Sequence, residues 1–189
     1  MSIDKTKKIV LALIASGVLL IASVGSSLAG VVTTTAGING GGSVTITTPG
    51  TINLSATLDG SDQVVVGALG SNRVKDPSGL GQGWQVQISG TTFTTGGATP
   101  HNLAADALSV TGVSATKVAG KTPTNSVSYG SGITVPLGAS PTPVKIYNAT
   151  SDTGMGTFDL TPNVTLTVPA DAYAGSYASN ITLSVIAGP

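Results

Sequence analysis

Trp84-Gln85-Val86-Gln87-Ile88-Ser89 is the stretch that decides the fold. Its apolar and polar side chains alternate without a break, the period of a strand with one face on a core and the other on water. Trp84, Val86 and Ile88 point one way, and Gln85, Gln87 and Ser89 the other. Gly79, Gly81 and Gly83 precede the run, and glycines let the backbone turn tightly into a sheet. A tryptophan in this phase is either the core anchor of a sandwich or an exposed stacking platform for a sugar. Its alternation with Val86 and Ile88 favours the core.

The same period recurs on both sides. Val44 and Ile46 alternate within residues 43–48. Ile52, Leu54, Ala56 and Leu58 alternate between the turn signals Pro49-Gly50 and Asp59-Gly60, which predicts a strand over 52–58. A further extended run starts at 64–66, and Leu108 with Val110 suggests another. Residues 94–106 read as a polar excursion holding Pro100 and His101, and 121–131 as turn-rich. The pieces 133–135 and 144–147 are separated by Pro136, Pro141 and Pro143, which argues for edges or loops. Val164, Leu166 and Val168 alternate with threonines up to Pro169, and Tyr177, Ile181, Leu183 and Val185 carry a long last strand. No internal period and no sustained helical pattern appears beyond residue 29. The expectation is all-β: a single antiparallel β-sandwich, immunoglobulin-like or jelly-roll-like, at 43–189.

Composition narrows the function classes. Beyond residue 29, Arg73, Lys75, Lys117, Lys121 and Lys145 face Asp59, Asp62, Asp76, Asp106, Asp152, Asp159 and Asp171, and the chain has no glutamate. No basic stripe exists to track phosphates, which argues against nucleic acid, and no polybasic cluster points to an anionic lipid surface. Cysteine is absent, so thiol catalysis and cysteine metal sites are excluded. The periodic apolar residues argue against disorder, the competing reading of a Gly/Ser/Thr-rich chain.

The N-terminus carries an address. Lys5, Lys7 and Lys8 precede an apolar run over 9–24, and Ser27-Leu28-Ala29 is a small-x-small cleavage site before Gly30. This is the layout of a secretory signal peptide at 1–29, with an uncleaved anchor as the alternative. After cleavage no membrane contact is expected, and the product is secreted or held at the cell surface. Residues 30–42 read as a flexible lead-in, with Gly40-Gly41-Gly42 as its joint. Val31, Val32, Thr33, Thr34 and Thr35 within it could instead be an exchangeable strand.

Asp76-Pro77-Ser78-Gly79-Leu80-Gly81-Gln82-Gly83-Trp84-Gln85-Val86 resembles the first signature of the WxL-domain surface proteins of Gram-positive bacteria. That signature has an aspartate, a glycine-rich loop, and Gly-Trp-x-(Leu/Val). Gly154-Met155-Gly156 through Phe158, followed by 164–168 and the last strand, is similar to that family's C-terminal half. The family's second Trp-x-Leu is matched by Asn180-Ile181-Thr182-Leu183, which has no tryptophan, so the chain resembles a divergent relative with one motif. The resemblance implies export, a β-sandwich, and non-covalent attachment to peptidoglycan or another cell-surface polymer. It makes Asp76, Gly83, Trp84 and Val86 the candidate wall-binding or core motif.

Catalysis finds little support. His101 is the sole histidine, and no Gly-x-Ser-x-Gly elbow accompanies it. Asp59 and Asp62 share one turn, too close to flank a sugar from both sides, and their spacing does not match an EF-hand loop. Lys145 is the least implausible donor for an intramolecular Lys–Asn cross-link. Gly175-Ser176-Tyr177 before a strand suggests a tyrosine corner through Tyr177. The expectation is therefore no enzyme, no cofactor and no metal. It is a wall-associated surface protein or, alternatively, a filament subunit that donates residues 31–35 to a neighbouring copy. The ending at Pro189 lacks a sortase signal, which argues for non-covalent attachment.

Overall fold

A computed structural model describes residues 35–189. Within them every regular element is a strand: β1 (Thr45–Thr47), β2 (Gln63–Ala68), β3 (Asn72–Asp76), β4 (Trp84–Gly90), β5 (Leu108–Gly120), β6 (Ile133–Thr134), β7 (Val144–Ala149), β8 (Gly156–Val168) and β9 (Ile181–Ala187). They form two antiparallel sheets. One runs β1-β3-β8-β5-β6 with β2 also on β8, and the other runs β7-β4-β9. The sandwich architecture is as the alternation predicts. The core between the sheets takes Val74, Phe158, Leu160, Val164, Leu108 and Val110 from the larger, and Trp84, Val86, Ile88, Ile146 and Tyr147 from the smaller.

β8 is the spine of the larger sheet, and it starts well before the Val164-to-Val168 alternation. It runs through Pro162, a residue that cannot donate to a ladder and is normally confined to edges or bulges. The opposing strand is broken at this level. β3 pairs with the first half of β8 and β2 with the second, and residues 69–71 between them do not ladder. Leu69 N–H donates to the Pro162 carbonyl, 2.8 Å, so only the donor that proline lacks is missing. On its other side β8 meets β5, which also exceeds its sequence signal and shows register shifts at Val110/Gly112 and Lys117/Ala119.

Three expectations change. Residues 51–58 carry a strand's alternation but form no strand. The last strand begins at Ile181, leaving Tyr177 in the connection before it. The glycines at 40–42 include a docked position: Gly41 N–H donates to Pro77 O, 2.7 Å, and Gly40 sits tight on the Ser78 backbone. Thr35 is exposed and outside any strand, and Val31, Val32, Thr33 and Thr34 lie outside the described residues.

Candidate functional site

The glycine loop and Trp84 form a clasp. Asp76, at the end of β3, is buried, and its Oδ1 accepts the Ser78 N–H at 3.0 Å, which starts the turn. The loop then crosses the turn at 150–155, where Asp152 N–H donates to Gly81 O, 2.7 Å. Gly83 has φ 73 and lies against the Ala149 carbonyl and Thr150, so no side chain fits there.

Trp84 follows with no exposed surface. Its Nε1–H donates to Gly154 O, 2.9 Å, its ring stacks on Tyr147 with centroids 5.6 Å apart, and Phe158 tilts against it at 6.3 Å. Tyr147 belongs to the smaller sheet and Phe158 to the larger, so the indole ties the two together. Gly154 has φ 74, and a Cβ there would sit 2.7 Å from Nε1. The structure thus brings Asp76, Gly83 and Trp84 together on one turn, with Val86 next along the core face at 2% exposure. Burial pushes the Tyr147 hydroxyl up to about 12, with Tyr129 adding a smaller push.

The opposite face of β4 is polar. Gln85 lies between Asn148 and Ile186, Gln87 between Lys145 and Ser184, and Ser89 beside Thr182. A bulge at Val86/Gln87 puts Lys145 and Asn148 on the same side, and Lys145 Nζ donates to Asn148 Oδ1 at 3.2 Å. Asn148 is otherwise held by Asn125 and Ser126, whose loop is fixed by the Tyr129 hydroxyl donating to Ile146 O, 2.7 Å. Neither glutamine amide has a protein hydrogen-bond partner among the described residues, and both side chains are partly exposed.

The remaining candidates disperse. The Tyr177 hydroxyl donates to Tyr173 O, 3.0 Å, inside the connection that precedes β9. The Asp59 carboxylate accepts from Ser61 N–H, Ser61 Oγ and Gln63 Nε2, and these bonds hold its pKa below the ordinary range. Asp62 turns elsewhere and accepts the Ala170 N–H at 2.8 Å. The His101 ring stacks on Tyr173, centroids 3.7 Å apart. Among the described residues no three His, Cys, Asp or Glu side chains gather as a metal-holding group. Sequence reasoning missed the partners Tyr147, Phe158 and Asn125 and the buried Asn72, whose Oδ1 has no partner among the described residues, because none carries a local signal. Gly154-Met155-Gly156 was the one legible hint of where the indole lands.

These features define a small β-sandwich whose single tryptophan follows a tight glycine loop and is locked by the turn at 150–155 and two aromatic rings. The chain belongs to the WxL family: the profile described as WxL domain, surface cell wall-binding, matches residues 42–189. No curated protein and no solved structure matches it. The family places the chain at the cell surface, associated with the wall. Among the described residues no helix is long and apolar enough to cross a membrane.

Proposed function

We propose that the chain is an exported, non-enzymatic wall-binding protein. Its leader is residues 1–29, and it is held without a covalent bond on peptidoglycan or another cell-surface polymer. The contact surface is the outer face of β7-β4-β9, where Gln85, Gln87, Ser184 and Thr182 offer amides and hydroxyls beside Lys145. The observation that supports this most is the two-sidedness of β4 in a chain of a wall-binding family. Trp84 faces the core and is spent on Gly154, Tyr147 and Phe158, so the polar face is what β4 has left for a partner. A row of uncharged donors and acceptors suits a repetitive polymer, which it meets by many weak hydrogen bonds.

Co-sedimentation of the protein with purified peptidoglycan tests this. The wild type is expected to pellet with the polymer and stay soluble without it. Gln85→Ala with Gln87→Ala should reduce the pelleted fraction at unchanged circular dichroism. A double variant that pellets like the wild type would move the contact off this face, and a wild type that never pellets would end the reading.

A further inference from the structure

The wall-facing reading leaves a cleft of about 1320 Å³ unused, larger than the roughly 300–1,000 Å³ of sites for drug-sized ligands. It lies between two segments. Residues 49–58 connect β1 to β2, and residues 173–180 lead into β9. Val65, Leu69, Leu166 and Leu183 make its floor apolar. Its rim is polar and uncharged. Thr51, Asn53, Ser55 and Thr57 come from the first segment, Ser176 and Asn180 from the second, and all six are exposed. Among the described residues no charged side chain lines the cleft.

One side chain of the rim is held in place without being buried. Tyr173 is 62% exposed, yet the His101 imidazole lies flat on its ring, centroids 3.7 Å and planes 9° apart. The imidazole's own loop is closed. His101 N–H donates to Thr95 Oγ1, 2.9 Å, and Thr95 N–H donates to His101 O, 3.0 Å. Thr94 and Ala178 exchange backbone bonds of 3.1 and 2.9 Å, which ties that loop to the 173–180 connection. The Tyr173 carbonyl also accepts the Tyr177 hydroxyl, 3.0 Å. With one face on the imidazole and most of the residue in solvent, the second face of the Tyr173 ring is open. Fixing an exposed ring costs side-chain entropy that burial does not offset here. The same fixing favours a ligand, which meets a ring already in position.

We infer that this cleft binds a neutral saccharide chain, one pyranose ring stacking on the open face of Tyr173. A pyranose carries a C–H face and a rim of hydroxyls. The electron-rich aromatic face takes the first, and the hydroxyls and amides of Thr51, Asn53, Ser176 and Asn180 take the second. An acidic peptide or a phosphate-bearing polymer would find no cation on these walls. The volume admits more than one sugar ring. Tyr173 thus takes the sugar-stacking role that the sequence offered to Trp84 and that burial of the indole removes. Gln85, Gln87, Lys145, Thr182 and Ser184 do not line the cleft, so it is a second site. It rests on the wall-facing reading only for the presence of a glycan at the cell surface.

Calorimetric titration of the protein with soluble oligomers of N-acetylglucosamine, and with oligomers of glucose, tests this. Saturable binding of at least one is expected. Tyr173→Ala should weaken it about fivefold or more, at unchanged circular dichroism. Tyr173→Phe keeps the ring and should bind within about twofold of wild type. Gln85→Ala with Gln87→Ala should bind like the wild type. No saturable binding of either oligomer would overturn the inference, as would full affinity in Tyr173→Ala. A Tyr173→Phe protein as weak as Tyr173→Ala would overturn the stacking. Binding lost in the glutamine pair and kept in Tyr173→Ala would place the sugar on β4 and overturn the cleft. No wall polymer enters these titrations, so failure here leaves the co-sedimentation result standing.

Discussion

The indole of Trp84 is held by one hydrogen bond and two ring contacts, and substitution separates them. Trp84→Phe keeps the rings near Tyr147 and Phe158 but leaves the buried Gly154 carbonyl without its donor, at a cost of about 1–3 kcal/mol. Trp84→Ala removes both and costs about 3–5 kcal/mol. Gly154→Ala keeps the tryptophan but pushes a methyl into it, at about 1–3 kcal/mol. Denaturant melts rank the three. Tyr147 adds a pH signature. The folded state keeps a proton up to about 12 that the unfolded chain releases at its ordinary value near 10.0. Stability is therefore full below that ordinary value and falls by up to about 1.4 kcal/mol per pH unit as the pH rises toward the folded one. Melts across this window should show the decline, and Tyr147→Phe should reduce it, leaving the part that the Tyr129 hydroxyl, also pushed up by burial, contributes. At this scale the inward phase of Trp84 was legible from its neighbours. Its partners were not, because the Gly154 carbonyl lies 70 residues away and no local pattern announces it.

Strand alternation says which side a residue faces, and not whether the strand finds a partner. Residues 51–58 show the difference. Ile52, Leu54, Ala56 and Leu58 alternate as a strand would, and Leu54 lies over Gly67, but the segment makes no backbone hydrogen bond among the described residues, which leaves the second edge of β2 open among them. Amide exchange in dilute solution reads this directly. Val64, Val66, Ala68 and residues 51–58 should exchange fast, while Val65, Gly67 and Leu69 are protected by β8. Equal protection on both sides of β2 would contradict the open edge. β8 errs in the opposite direction: Pro162 reads as a strand boundary, and the break at 69–71 that accommodates it is invisible from 162 itself. Ile181 lines a cavity of about 1320 Å³ together with Val65, Leu69 and Leu183. Ile181→Trp should therefore be accepted, within about 1 kcal/mol of wild type. The same change at Ile88, sealed in the core at 0% exposure, should cost about 1–3 kcal/mol or more. A denaturant melt of each checks the contrast.

At the scale of the molecule, two sheets share one core, and the Gly79-to-Trp84 clasp joins them to the turn at 150–155. The all-β class was legible because Val, Thr and alternation dominate and helix-length patterns are missing beyond residue 29. The strand order was not, since β8 collects β2, β3 and β5 from distant parts of the chain. The candidate site was half legible. The motif residues were marked by their glycines, while the polar face became a surface only once β7 and β9 flanked β4. The family signature therefore acts here as an internal fastening, and the proposed function sets the wall against the other side of the strand. Because Trp84 is the sole tryptophan, its fluorescence tests that claim most directly. Blue-shifted emission, protected from iodide and unchanged when peptidoglycan is added to saturation, is the predicted result. Red-shifted, quenchable emission that the polymer shields would put the indole at the wall and contradict the account.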